Sequence, residues 1–263
     1  MMEANTIAAG TRSTDARVNL WRSHLLDTRC ELLRLLREPM YVIPTLLFPA
    51  LFYAMFGLLL GARGSDEAAR YLLATYGVFG AMGAGLFGFA VTLAIDRERG
   101  FFALRRVLPA PPSAWLVSRL LIAMLFALVI VLELAALAVV FGGVTLAPSQ
   151  WALLWTVSVL GALPFCAIGL LLGSLTSANA APAIVNVLFL PMAFLSGLWL
   201  PLSMLPDVLA RAAPVWPAYH HAQLALRVVG HDSGGSPWLH VAVLVGVSAL
   251  CVAVALRRLA RVG

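Results

Sequence analysis

DRERGFFALRRVLPAPPS, residues 96–113, stands between two long apolar runs and decides how the whole chain is read. It holds Arg97, Arg99, Arg105 and Arg106, two acids, and then Pro109, Pro111 and Pro112, where two helices joined across a bilayer would need only a short turn. Before it, Tyr71 to Ile95 is a continuous apolar run. After it, Ala114 to about Val140 is another, with Ser113 well placed as the N-cap. A helix needs about 20 apolar residues to cross a hydrocarbon core of roughly 30 Å. Both runs meet that length, so the charged stretch marks a place where the chain leaves the membrane.

Composition supports this over the full length. Of 263 residues, 62% are hydrophobic and 11% charged, too little polar surface for a water-soluble domain of this size. The expected product is a single all-α membrane domain. A net charge of +6 does not point to nucleic acid, because the basic residues sit in short segments flanking apolar runs, as membrane topology demands. All 18 basic residues are arginine. With no lysine, a Walker A loop, whose lysine holds nucleotide phosphates, is excluded. Cys30, Cys166 and Cys251 fall in three separate elements without metal or disulfide spacing and read as small apolar residues. The first 39 residues lack an apolar run of signal-peptide kind, so an uncleaved N-terminus is expected.

Working outward, six spans are expected: Met40–Leu60, Tyr71–Ile95, Ala114–Val140, Trp151–Leu172, Ala183–Leu200 and Trp238–Leu256. Residues 1–16 read as a disordered tail. Arg17 to Arg37 has Val18, Trp21, Leu25, Leu32 and Leu36 at helical spacing with charged residues between them, which predicts an amphipathic helix in the membrane interface or against a partner. Pro44, Pro49 and Pro164 fall inside spans, where bends survive if neighbours satisfy the exposed carbonyls. Gly77, Ala81 and Gly85 form a small-residue face on the second span, suited to close helix approach within the chain or to a dimer contact.

Arginines set the orientation. The N-terminal segment, the 96–113 stretch and the C-terminus together carry thirteen, against Arg63, Arg70, Arg211 and Arg227 on the other side. Both termini and the opening stretch are therefore expected in the cytoplasm. On the outer side, Pro201 to Gly230 holds apolar residues at helical spacing broken by Pro214 and Pro217. It reads as a pair of short re-entrant or interfacial helices, or else as an amphipathic surface loop.

Three features now converge on a resemblance. They are the amphipathic helix before the first span, the DRERG segment (Asp96–Gly100) followed by Pro109, and SGLWLPLSMLP (Ser196–Pro206) leading to the Pro-x-x-Pro-x-Tyr run of Pro214–Tyr219. In this order they resemble the membrane subunit of a type-2 ABC transporter, the group that includes daunorubicin-resistance-type multidrug exporters and polysaccharide or lipid-export permeases. The resemblance covers residues 17–258, leaving 259–263 as a cytoplasmic tail. It implies a permease dimer, homo- or heteromeric, in a bacterial cytoplasmic membrane, beneath which two separate ATPase subunits bind ATP and Mg. This chain itself would hold no cofactor and perform no catalysis. Carried over by position, Asp96, Arg97, Glu98, Arg99 and Gly100 would begin the coupling helix that docks in the ATPase, and Pro109 would end it. The family commonly shows a hydroxyl residue just after the glycine and an acid two positions later. Here Phe101 and Ala103 stand in those places, so an aromatic anchor with Arg105 and Arg106 as basic contacts is expected instead.

Other candidates are fewer. Glu133 is the only ionisable residue deep within an expected span, and a carboxylate there must face protein or water, as a pathway group or as a structural acceptor. Asn186 and Ser196 could line the pathway or bond helices together. His220 and His221 are adjacent and lack metal-binding spacing, so no metal site is expected. Substrates in view are amphipathic drugs or lipids, with polysaccharide or glycolipid export as the alternative. A non-transporting assembly or immunity protein is a further class, and an intramembrane enzyme lacks the nucleophile or metal constellation it would need.

Overall fold

The computed structural model describes residues 12–60, 66–101, 112–231 and 235–262, and every regular element among them is helical. In order these are α1 (Arg12–Leu36), α2 (Pro39–Phe52), α3 (Asp66–Glu98), α4 (Pro112–Val140), α5 (Pro148–Leu160), α6 (Ala162–Leu175), α7 (Ala181–Leu195), α8 (Asp207–Ala212), α9 (Pro217–Val228) and α10 (Pro237–Val262). Pro44 and Pro49 lie inside α2, which passes into a wide π-helical stretch, Tyr53–Leu60. Each proline removes a donor from the ladder, and such loosened turns are a common response.

Five segments are long and apolar enough to cross a membrane: Pro39–Leu59, Asp66–Glu98, Ala114–Val140, Pro148–Leu175 and Pro237–Leu259. They match the expected first, second, third, fourth and sixth spans. The fifth is different. α7 has 15 residues, a rise of about 22 Å. It stops at Leu195 because the chain turns at Ser196 and Gly197, where Gly197 takes φ +77°, a conformation other residues rarely adopt. Two other ends also run past their expected limits: α1 begins at Arg12, and α10 carries Arg257 and Arg258 as helix through Val262.

The bundle is built around α3. At 33 residues it is about 50 Å long, and its apolar window is 72% buried, against 22% for the first and last segments. Its small-residue face turns out to pack within the chain. A Cβ on Gly85 would sit 2.9 Å from Phe165 Cβ and 3.0 Å from the Ala162 carbonyl. From the other side, one on Gly173 would sit 2.6 Å from the Ala90 carbonyl. The backbones of α3 and α6 are thus in direct apposition, as small residues permit in a solvent without a hydrophobic drive. Gly77 meets Ser158 and Val131, and Gly80 meets Ile130 and Pro49, which commits the rest of that face to α4, α5 and α2.

The expected fourth span is broken. α5 ends at Leu160 and α6 begins at Ala162, with Gly161 between them. Pro164 explains the position, since its ring displaces the carbonyl four residues earlier, that of Leu160, and supplies no hydrogen to it. After α7 the chain makes short turns divided by Pro201, Pro206, Pro214 and Pro217, then enters α9. α9 is buried on both faces: Ala218, His220, His221, Ala222, Gln223 and Leu226 are all inside. It packs on α10, α3 and α5, so it is an internal element and not a surface loop.

Candidate functional site: a charge node and an aromatic cleft

Helix α3 ends inside the DRERG segment, with Gly100 at φ +70° closing it in the usual left-handed manner. The last turn presents Asp96, Arg97 and Glu98 in three directions. Each meets a different neighbour.

Asp96 is buried and lies 2.6 Å (Oδ2) from Arg119 Nη2 on α4. Its other oxygen is 3.4 Å from Arg34 Nη1 on α1, and the Trp115 indole donates to Oδ2 at 3.4 Å. Arg119, 3% exposed, also stands 3.0 Å from Glu31 Oε1, an ion pair whose angle falls outside hydrogen-bond geometry. Arg34 Nη1 reaches Glu31 Oε2 at 3.4 Å, and the Arg119 guanidinium lies 4.8 Å from the Trp115 ring centroid, a cation–π contact. Asp96 and Arg119 are almost closed to water, while Glu31 and Arg34 at the edge of the node are partly exposed and Arg34 also lies 3.8 Å from Glu38. Removing one member of such a group leaves a buried charge unpaired, at a cost of about 3–5 kcal/mol.

Arg97 donates to the Ser174 carbonyl and, at 2.6 Å, to that of Thr176, the last acceptors of α6. Arg258 of α10 joins it on Ser174 at 3.1 Å. Cations at a helix C-terminus are favoured by the unpaired carbonyls and the helix dipole. Glu98 accepts the Ala178 N–H at 2.9 Å, in the turn before α7. Three successive residues therefore tie the end of α3 to α1, α4, α6 and the approach to α7, while α10 shares the Ser174 carbonyl through Arg258. Arg99 and Gly100 are exposed. Phe101 is half-buried and packs with the cluster of Leu93, Trp115 and Leu170 in its own chain. Arg105, Arg106 and Pro109 lie outside the described residues.

Glu31 and Arg34 fall between the apolar positions of α1 in sequence, yet in the fold they turn toward Arg119 and Asp96, while Leu25 and Leu36 are exposed. Sequence reasoning misses Arg119, which lies inside the expected third span. A signal existed: an arginine more than a turn inside a span, four residues after Trp115, needs an acid from another helix.

The second feature is a cleft of about 360 Å³ between α2, α3 and α7, lined by Tyr41, Pro44, Thr45, Phe48, Phe52, Phe79, Phe87, Asn186, Phe189 and Trp199 among others. Its rings form one contact set, Phe79 to Phe189 at 4.9 Å, Phe87 to Phe189 at 5.5 Å and Phe52 to Trp199 at 6.0 Å between centroids. Asn186 is the one expected pathway residue that lines this cleft, and its amide donates to the Pro182 carbonyl at 3.1 Å. Ser196 is buried beyond it, its hydroxyl without a hydrogen-bond partner among the described residues. Glu133 is on α4, half-buried and not part of the cleft lining. Among the described residues no group of three His, Cys, Asp or Glu side chains could hold a metal.

Long apolar helices packed around one buried helix define an all-helical, multi-pass membrane protein. Residues 61–257 match the ABC-2 family transporter proteins, and the chain belongs to that family. It is 27% identical over 218 residues, 82% of this chain and 88% of the other, to "Putative transport permease YvfS" of Bacillus subtilis (strain 168). Membership makes this the membrane subunit of an ABC transporter, a class that works with ATPase partner subunits.

Proposed function

We propose that the chain is the pathway-forming permease of an ATP-driven exporter in a bacterial cytoplasmic membrane, acting as a homo- or heterodimer above two ATPase subunits that bind ATP and Mg. In this reading both termini and the DRERG segment face the cytoplasm, in keeping with the arginine distribution. The observation that carries the proposal is the threefold tie at the end of α3: Asp96 to α1 and α4, Arg97 to α6, Glu98 to the turn before α7. A push delivered there reaches all these helices together.

The coupling residues then divide by task. Asp96, Arg97 and Glu98 transmit. Arg99 and Gly100, with Arg105, Arg106 and Pro109 next in the chain, meet the ATPase, while Phe101 fastens the segment to the bundle. Because α3 also supplies Phe79, Gly80, Gly83 and Phe87 to the cleft, moving its end moves the cleft wall. No covalent chemistry is asked of this chain; it converts a rigid displacement into altered access.

The cleft suggests the cargo. Aromatic and proline side chains with a single primary amide favour an amphiphilic drug-like molecule or a lipid, since apolar surface gains about 25 cal/mol per Å² on leaving water. A highly charged solute would lose hydration without finding partners there. Glu133, outside the cleft lining, is best read as a structural group on α4.

The test is assembly. A tagged chain isolated from membranes of its own host should retain an ATPase and stimulate its hydrolysis. Arg105→Glu with Arg106→Glu should weaken that retention and flatten its salt dependence, as rim charges do. A chain that retains no ATPase, or a double variant that behaves as the parent, overturns the proposal.

A further inference from the structure

The break in the fourth span is occupied by a side chain from elsewhere. His221, on the buried helix α9, is 0% exposed and sets its Nε2 3.1 Å from the Val157 carbonyl. A carbonyl only accepts, so Nε2 carries the hydrogen and Nδ1 is the bare nitrogen. The same carbonyl accepts the Gly161 N–H at 2.8 Å. The imidazole lies directly on the glycine, and a Cβ at Gly161 would fall 2.0 Å from His221 Nε2. Gly161 is therefore a seat that only glycine leaves open. The Phe165 ring, one turn along, closes it at 5.9 Å between centroids.

Both halves of the span touch α3, but they are fastened differently, α6 by close backbone contact and α5 by side-chain hydrogen bonds to α9 as well. On the α6 side, Gly169 and Gly173 bring its backbone against that of α3, where a Cβ would meet the Leu86 carbonyl at 2.9 Å and the Ala90 carbonyl at 2.6 Å. On the α5 side, Gln150 donates to the Val228 carbonyl at 2.9 Å, tying the start of α5 to the end of α9. His221 makes the second tie to α9, at the break itself.

We infer that His221 is a positioning residue that pins α9 to the broken fourth span at Gly161, making the break a joint held by a side chain from α9. Only the use of the joint in transport rests on the permease reading; its mechanics belong to this chain alone.

Hydrogen–deuterium exchange of the purified full-length chain in phospholipid nanodiscs tests it, without ATPase or cargo. His221→Ala should speed exchange of the α9 amides about tenfold or more while leaving α6 within about twofold of the parent, a local opening and not general loosening. His221→Gln, which returns an N–H donor at a similar reach, should restore α9 to within about twofold. Gly161→Ala should loosen α9 or fail to fold, and Gly161→Ala with His221→Ala should fold and match His221→Ala alone, since the two substitutions remove one shared contact. An unchanged α9 in His221→Ala, equal acceleration in α6, failure of His221→Gln to restore, or a double variant worse than both singles would each overturn the inference.

Discussion

The two ends of the bundle are fastened by opposite chemistry. At the end carrying both helix α1 and the tail of α10, the ties are ionic: Asp96, Arg119, Glu31 and Arg34 in one node, Arg97, Arg258 and Glu98 on helix ends. At the other end the ties between elements are mostly neutral, although Asp66 and Arg70 pair within α3 and Glu67 Oε1 lies 4.0 Å from His231 Nδ1. His221 binds a carbonyl, Gln150 binds the Val228 carbonyl, and the Tyr71 hydroxyl donates to the Gly197 carbonyl at 2.7 Å. An ionic tie is strong but fails if one partner is lost, whereas a neutral one can open and close at the modest net cost of a hydrogen bond, about 1 kcal/mol. Under the proposed function, that contrast suits one end that transmits force and another that opens.

The largest effect is expected at Arg119. Arg119→Met leaves Asp96 and Glu31 facing each other with Arg34 alone, and should cost about 3–5 kcal/mol, read as a large fall in thermal midpoint in detergent. Next in size is an acid effect at the opposite end. Burial lowers the His221 imidazole from 6.5 to about 4, so the unfolded chain binds a proton that the folded one refuses between those values. Stability should fall by up to about 3 kcal/mol as pH drops from 6.5 towards 4, and this contribution should be flat above 6.5. Thermal midpoints across that range should lose this slope in His221→Gln.

A smaller loss, about 1–3 kcal/mol, is expected for Gly173→Val, which drives a side chain into the Ala90 carbonyl and separates α6 from α3. The smallest effect on stability belongs to Arg99→Glu. That residue is exposed, so its stability should stay within about 0.5 kcal/mol of the parent. Its assembly with the ATPase should nonetheless weaken. Together these sort residues that hold the bundle from residues that face a partner.

Much of this was legible in the chain and some was not, for definable reasons. Five apolar runs predicted helices that the structure shows at membrane-crossing length, because length and hydropathy alone carry that signal. The fifth run misled, since Ser196–Leu200 continues it in composition while Gly197 turns the backbone. The small face on α3 was visible, but its partner could not be, because Gly85 meets Phe165 from eighty residues away. The charge node hid for the same reason. Glu31, Asp96 and Arg119 are scattered over α1, α3 and α4, and helical periodicity reports which residues share a face without saying which face is inside. His221 read as one of an adjacent pair without metal spacing, and only the fold reveals the glycine beneath it.

The central claim is that the end of α3 passes on work received from an ATPase, with Arg97 as a transmitter and Arg99 as a contact. It is tested most directly by measuring ATPase retention and permease-stimulated hydrolysis side by side in the isolated complex, for the parent, Arg97→Gln and Arg99→Glu. Arg97→Gln should retain the ATPase as the parent does yet lose stimulation, because its guanidinium is turned onto the Ser174 and Thr176 carbonyls; Arg99→Glu should lose retention itself. If Arg97→Gln and Arg99→Glu lose retention and stimulation in the same proportion, or if the parent chain stimulates no hydrolysis at all, the claim is contradicted.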